Sequence, residues 1–360
     1  MRSDEISVIA PNLKTRWSGV TSTVFRLLPV QKHQIGIACT GPKLPRELPR
    51  VTLLQLLFMR ARTPRVWHAR RNTEMLAGLA LKTILRKNLK LLFTSAAQRR
   101  HSRYTRWLIR RMDRVVATSA RAGGFLEVPH DVIMHGVDCD RFRPAAHKRD
   151  VKDALGLPAD HCLIGCFGRV RPQKGTDRFV EIMMALVKRQ PDVTAVITGG
   201  TTPDNRGFHD DLSGRVTRSG LGGRILFLGE QPDGKVPEFF RAMDIFVAPQ
   251  RWEGFGLTPL EAMASGVPVV ATRAGAFEEM IRDGETGLIV DTDDDAALEA
   301  AIDALVADPV RRADMGRAAR AHVLDAFALE TEAAALTRVY RELLDDATDS
   351  ASEDPAPDGS

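Results

Sequence analysis

Cysteine is scarce. Only Cys39, Cys139, Cys162 and Cys166 occur in 360 residues, and none forms a Cys-x-x-Cys pair. A disulfide framework and a cysteine-built zinc site are therefore excluded. Cys162 and Cys166 lie in an apolar run, which suits buried free thiols in a reducing compartment. Aromatic residues make up 6% of the chain, so there is little to stack nucleic-acid bases, and no nucleic-acid motif is present. No run of about 20 apolar residues occurs, so no membrane-spanning helix is expected. Met1-Arg2-Ser3-Asp4-Glu5 leads straight into Ile6–Ala10 without the apolar stretch of a secretory signal, and a cytoplasmic protein is expected. No metal cluster stands out. Asp291-Thr292-Asp293-Asp294-Asp295 contains Asp-x-Asp but precedes a helical pattern, where helix capping accounts for it. No metal and no cofactor are expected.

What is present is an ordinary globular composition, 44% hydrophobic and 27% charged, in a length that suits two domains. The net charge of +5 hides an asymmetry. Residues 1–150 carry 29 Lys and Arg against 10 Asp and Glu, a net of +19, and the remainder carries 22 against 36, a net of −14. A basic half implies an anionic partner: an acidic membrane surface, an acidic or phosphorylated glycolipid, or a nucleic acid.

Short apolar runs alternate with helical patterns. In the first half the runs are Ile6–Ala10, Ile35–Thr40, Val51–Leu57, Val66–Ala69, Leu91–Thr94 and Val115–Thr118. In the second they are Leu163–Gly168, Val193–Thr198, Ile225–Leu228, Ile245–Ala248, Val267–Ala271 and Leu288–Val290. Read as strands, they predict two doubly wound parallel sheets with helices on both faces. The expected boundaries are a basic domain over 1–148, a second domain over 149–326, a closing helix over 327–345 and a disordered tail over 346–360.

The most informative stretch is Arg251–Ser265, behind the apolar strand that ends near Pro249. Gly254-Phe255-Gly256 forms a loop at a strand's carboxyl end, where open α/β sheets bind ligands. Thr258, Pro259 and Glu261 read as N-cap, first helical residue and capping-box acid. Free N–H groups at this helix start suit a phosphate. A second loop, Gly168-Arg169-Val170-Arg171-Pro172-Gln173-Lys174-Gly175, joins a strand to a helix and is not a Walker A loop.

Glu253 and Glu261, with seven residues between them, resemble the Glu-x7-Glu signature of retaining glycosyltransferases of family 4. Gly168-Arg169 followed by Lys174-Gly175 has the same family's spacing, and His135-Gly136-Val137-Asp138 is similar to its Asn-Gly-Val-Asp. The resemblance implies the GT-B fold, two Rossmann-like domains facing across a cleft with the closing helix over 327–345 packing back on the first domain, and a metal-independent reaction. It implies that Glu253 contacts donor-sugar hydroxyls and Glu261 the ribose. Arg169 and Lys174 would hold the diphosphate. Phe255, Gly256 and Leu257 would lend backbone N–H groups, with Gly19, Gly168, Gly229, Gly254 and Thr258 lining the donor site. Trp67–Asn72 and Phe93–Arg100 look like lipopolysaccharide core mannosyltransferases of α-proteobacteria, which favours GDP-mannose as donor and a Kdo-bearing lipid A precursor as acceptor. UDP-glucose or another nucleotide sugar, a different glycolipid or polysaccharide acceptor, and a non-catalytic basic scaffold stay open.

His68 matches the first position of the family's His-x-His, and Arg70 replaces the second. Either His68 serves at the active site or Arg70 meets an anionic acceptor. Arg70, Arg71, Arg99, Arg100 and His101 form a basic set suited to an acidic acceptor. Trp107 with Arg106, Arg110 and Arg111 suits an anionic lipid surface, so peripheral association with the inner face of the cytoplasmic membrane is expected.

Overall fold

A computed structural model describes residues 3–15 and 19–352. The described residues form two compact units, one running up to Gly136 and resuming at Leu329, the other spanning Val137–Ala328.

In the first unit, β1 (Val8–Pro11), α1 (Gly19–Gln31), β2 (Ile37–Thr40), α2 (Leu53–Phe58), β3 (Arg65–Ala69) and α3 (Asn72–Thr83) follow in turn. Then come β4 (Leu89–Ser95), α4 (Arg103–Ile109), β5 (Arg114–Ala117), α5 (Ala120–Gly123) and β6 (Asp131–Val132). The strands form one parallel sheet in the order β2-β1-β3-β4-β5-β6. Strands buried on both faces explain the continuous apolar runs of the sequence. One face packs Val24, Leu27 and Leu28 of α1, and the other packs Leu56, Met75 and Leu108 of α2, α3 and α4.

The second unit opens with α6 (Lys148–Ala154) and β7 (Cys162–Phe167), followed by α7 (Thr176–Arg189), β8 (Val193–Thr198), α8 (Arg206–Arg218), β9 (Ile225–Phe227), α9 (Val236–Ala242) and β10 (Ile245–Ala248). It continues with α10 (Thr258–Ala264), β11 (Val269–Thr272), α11 (Phe277–Met280), β12 (Gly287–Val290), α12 (Asp295–Ala307) and α13 (Pro309–Ala326). Its sheet is again parallel, in the order β12-β11-β10-β7-β8-β9. Finally α14 (Leu329–Ser352) returns to the first unit, where Leu336, Tyr340 and Leu343 join the core beneath β1 and β3.

Four sequence expectations are revised. Val51–Leu57 is not a strand: Thr52 and Gln55 form a reciprocal capping box that starts α2 there. The division between units falls after Gly136, not after residue 148. The segment behind it is tied to the second unit, Val137 N–H donating to the Phe327 carbonyl (2.8 Å) and Arg320 to the Phe142 carbonyl (2.8 Å). Helix α14 runs on to Ser352, beyond the expected start of the tail, and Ala347 within it is buried. The rest of that tail, residues 353–360, lies outside the described residues. Thr258 is not an N-cap. Helix α10 begins at Thr258 with Leu257 in the cap position and no side-chain cap bond, because Leu257 is already in helical geometry.

Candidate functional site

The strand order of the second sheet reverses between β7 and β10, and ligands of open α/β sheets bind outside the carboxyl ends of the strands at such a switch point. The loops leaving those two strands are 168–175 and 249–257, the two segments singled out in the sequence. They are pinned together. The Arg251 guanidinium grips both oxygens of Asp177 at 2.8 Å and the Pro172 carbonyl at 2.6 Å, Arg251 N–H donates to the Gln173 carbonyl (3.0 Å), and Gln173 Nε2 to the Trp252 carbonyl (3.2 Å). Burial pushes the Asp177 carboxyl up, but the Arg251 contact outweighs it and its pKa is lowered.

Gly175 sits at φ +69°, and a Cβ there would lie 1.9 Å from the Pro249 carbonyl oxygen, so only glycine lets the loops approach this closely. Gly256, at φ +88°, has the same constraint: a Cβ would lie 2.3 Å from the Phe277 ring.

At the junction Lys174 Nζ and Glu253 Oε2 form a half-buried ion pair. Glu253 Oε1 accepts the Gly254 N–H at 2.9 Å. Among the described residues, the N–H groups of Gly256 and Leu257 find no acceptor. Arg169 is exposed and its guanidinium has no protein partner among them. Gly168 and Gly229 close the ends of β7 and β9, Gly168 N–H donating to the Thr198 carbonyl (2.9 Å) and Gly199 N–H to the Gly229 carbonyl (2.8 Å). Glu261 is half-buried in the first turn of α10, and Phe255 is buried. The second unit thus brings Gly168, Arg169, Lys174, Glu253, Gly254, Phe255, Gly256, Leu257, Thr258 and Glu261 to one switch point. The set combines two cations with unused backbone donors, which together suit a diphosphate.

The Asp-rich segment behaves as the capping reading required. Asp294 accepts the Ala297 N–H (2.8 Å), Asp295 pairs with Arg178 and Asp291 with Arg273. Among the described residues no group of three or more His, Cys, Asp or Glu side chains is arranged to hold a metal ion.

In the first unit the switch lies between β1 and β3. Gly19 opens α1 beside it in open space, while Ser18 lies outside the described residues. Two expectations are corrected here. His68 is fully buried, with Nδ1 2.7 Å from the Tyr340 hydroxyl and Nε2 2.6 Å from Thr94 Oγ1. Both ring nitrogens are thus engaged by the protein, and burial, helped by Arg70, holds its pKa well below the usual value. A neutral, saturated histidine does not present a nitrogen to a sugar. Arg71 is not a free acceptor ligand either. It donates to Glu74 Oε1 (2.7 Å), Asn12 Oδ1 (2.8 Å) and Thr21 Oγ1 (2.9 Å), lacing the loop after β1 to the start of α3. Glu74 also accepts the Arg70 N–H at 2.8 Å.

Arg70 is half-buried, whereas Arg99 and Arg100 are exposed and unpaired among the described residues. His101 Nε2 lies 3.3 Å from Ser95 Oγ, and burial first, then Arg99, lowers its pKa. His135, the departure from the family's Asn, bonds Glu332 of α14 at 2.7 Å, and Glu332 also accepts the Gly136 N–H at 2.8 Å. The Asp177–Arg251 clamp and Tyr340 were not found from the sequence, because each partner lies far along the chain and no local pattern marks it.

Comparisons with known proteins agree with this architecture. The family model "Glycosyl transferases group 1" matches residues 147–322. The chain is 52% identical over 347 residues to the lipopolysaccharide core biosynthesis mannosyltransferase LpcC of Rhizobium leguminosarum bv. viciae, covering 95% of this chain and 98% of that protein. It is 49% identical over 348 residues to the lipopolysaccharide core biosynthesis mannosyltransferase LpsB of Rhizobium meliloti (strain 1021), covering 94% and 98%. Among solved structures, Anabaena Alr3699/HepE in complex with UDP and glucose superposes with a TM-score of 0.80 at 19% identity over 94% of this chain and 100% of that one, a likeness of fold.

Proposed function

The chain belongs to the lipopolysaccharide core biosynthesis mannosyltransferases among the group 1 glycosyl transferases, enzymes of GT-B fold, and we propose that it transfers mannose from GDP-mannose, with retention, onto a Kdo-bearing lipid A type acceptor. The observation that carries the donor half is the pairing of Lys174 with Glu253 at the β7/β10 switch point, beside the unused N–H groups of Gly256 and Leu257. Cleaving a nucleotide sugar places negative charge on the departing diphosphate. Fixed cations and backbone donors that meet that charge lower the barrier. Lys174 and Arg169 supply the cations, and the diphosphate takes over Lys174 from Glu253. Glu253 is then released to accept hydrogen bonds from sugar hydroxyls, while Glu261 addresses the ribose.

With Glu253 on the sugar hydroxyls and Glu261 on the ribose, neither carboxylate of the switch point is left to act as a covalent nucleophile. The reading therefore takes the front-face route, in which the acceptor hydroxyl attacks the anomeric carbon, the sugar–oxygen bond of the donor breaks, and the leaving diphosphate oxygen receives the hydroxyl proton. The reaction uses protein cations in place of a metal. The acceptor falls to the first unit, where Arg70, Arg99, Arg100 and His101 offer donors to an acidic sugar. A glycolipid acceptor makes the enzyme peripheral on the inner face of the cytoplasmic membrane, consistent with the absence, among the described residues, of any helix long and apolar enough to cross one.

The test is transfer of labelled mannose from GDP-mannose to a Kdo-bearing lipid A acceptor in the presence of a chelator. Incorporation is expected with the wild type, and an enzyme that transfers only from a uridine or adenosine nucleotide sugar overturns the donor assignment.

A further inference from the structure

Large exposed apolar side chains concentrate on one layer of the first unit. Leu56 and Met59 turn inward to the core with Trp67 and Leu91, but the rest of α2 faces out. Leu53, Leu54, Leu57 and Phe58 are 54%, 64%, 47% and 81% exposed. The turn after α3 adds Ile84 at 76% and Leu85 at 42%. The two segments are neighbours. Lys87 Nζ donates to the Leu57 carbonyl (2.8 Å), Asn88 N–H to the Ala61 carbonyl (2.7 Å) and Asn88 Nδ2 to the Arg62 carbonyl (3.2 Å). Arg86, directly after Leu85, turns the chain at φ +47°, a left-handed conformation unusual for a side chain other than glycine. A contiguous apolar surface of this kind marks an interaction site.

Charge identifies the occupant. From Arg50 to Lys90 the sequence has ten Lys and Arg and one acid, Glu74, which is buried. Arg60, Arg62 and Arg86, flanking the apolar side chains, are exposed and have no carboxylate partner among the described residues. A second copy of the chain would bring these cations against one another. An anionic lipid headgroup neutralises them while the acyl boundary takes the leucines and Phe58.

We propose that α2 and the turn after α3 form the docking face for an anionic phospholipid bilayer, with Leu53, Leu54, Leu57, Phe58 and Ile84 entering the acyl boundary and Arg60, Arg62 and Arg86 on lipid phosphates. This assigns the membrane contact to α2 and not to Trp107 of α4, whose ring is covered on one side by the Arg111 guanidinium at 3.9 Å and stacked with Tyr104. It rests on the peripheral-membrane part of the function proposed above, but not on the donor or the acceptor sugar.

The experiment is flotation of the full chain with vesicles of phosphatidylcholine alone or rich in phosphatidylglycerol, alongside transfer to a water-soluble acceptor analogue. The wild type is expected to float with the anionic vesicles and not with the neutral ones. L54S/F58S should lose about tenfold or more of that partition, and R60Q/R62Q/R86Q should lose the preference for anionic lipid. Both variants alter exposed residues and should transfer to the soluble acceptor like the wild type. Loss of flotation by Y104S/W107S with retention by L54S/F58S overturns the assignment to α2. A wild type that fails to float, or one that is dimeric in solution and made monomeric by L54S/F58S, overturns bilayer docking. Absence of transfer with normal flotation counts against the enzymatic reading alone.

Discussion

Lys174 is held by the Glu253 carboxylate, which a donor bound as proposed has to displace, and this makes it the most informative single side chain. Lys174→Ala should lower kcat by about 100-fold or more, the scale of removing a fixed group that meets transition-state charge. Its thermal unfolding should stay close to wild type, as measured by circular dichroism. A second prediction concerns Arg71. Removing it leaves Glu74, which is buried, without its cation. Arg71→Ala should therefore destabilise the first unit by about 3–5 kcal/mol, read from denaturant unfolding. Nucleotide binding, which the proposed function assigns to the second unit, should be retained. A third concerns the thiols. Burial raises Cys39 to about 11 and Cys166 to about 12, so neither forms a thiolate near neutrality. Neither should react with a thiol reagent in the native state at pH 8, while both should react on unfolding. At this scale the two loops that meet at the β7/β10 switch point were legible because glycines, cations and acids recur at family spacing within them. The partners of His68 and Arg71 were hidden for the opposite reason. Their roles are set by Tyr340, Thr94 and Asn12, which come together only through the sheet and α14.

Among the elements, strands were read well because burial on both faces makes them continuous apolar runs, and Val193–Thr198 and Ile245–Ala248 match the observed limits. The segment 51–57 misled because it too is an apolar run: Leu53, Leu54 and Leu57 are exposed, only Leu56 of its leucines is buried, and the capping box of Thr52 and Gln55 decides for helix. The β7 strand carries a pH-dependent tie. Asp244 Oδ2 accepts the Leu163 N–H at 2.9 Å and Lys152 Nζ at 2.7 Å. Burial raises its pKa, but Lys148, Lys152 and the Leu163 bond pull harder, and the net shift is downward. A carboxyl whose folded pKa lies below its unfolded value, about 3.9, stabilises the fold fully above that value and loses the contribution as pH falls through the folded pKa. Part of the fall in Tm below about pH 4 should therefore be absent in Asp244→Asn, which will be less stable than wild type at pH 7 but flatter with pH.

For the whole molecule, two parallel sheets follow from alternating runs in the sequence, and the return of the last helix to the first unit follows from the family resemblance, while the order of strands and the contacts that hold α14 there do not. Its first-unit partners, Gly136 and His135 for Glu332 and His68 for Tyr340, are reached across nearly two hundred residues or more. The charge division, +19 over residues 1–150 against −14 over the rest, fits the proposed division of work, in which cations of the N-terminal half meet an acidic glycolipid and lipid surface and the β7 and β10 loops take the diphosphate. The central claim, a guanosine diphosphate sugar held by the β7 and β10 loops, is tested most directly by thermal shift with GDP, UDP, ADP and GDP-mannose in a chelator, on wild type and Lys174→Ala. A ligand at about 100 times its dissociation constant adds about 2.7 kcal/mol of stability. The account predicts a shift selective for GDP and GDP-mannose that Lys174→Ala abolishes. A shift selective for UDP or ADP, or a GDP shift undiminished in the variant, would contradict it.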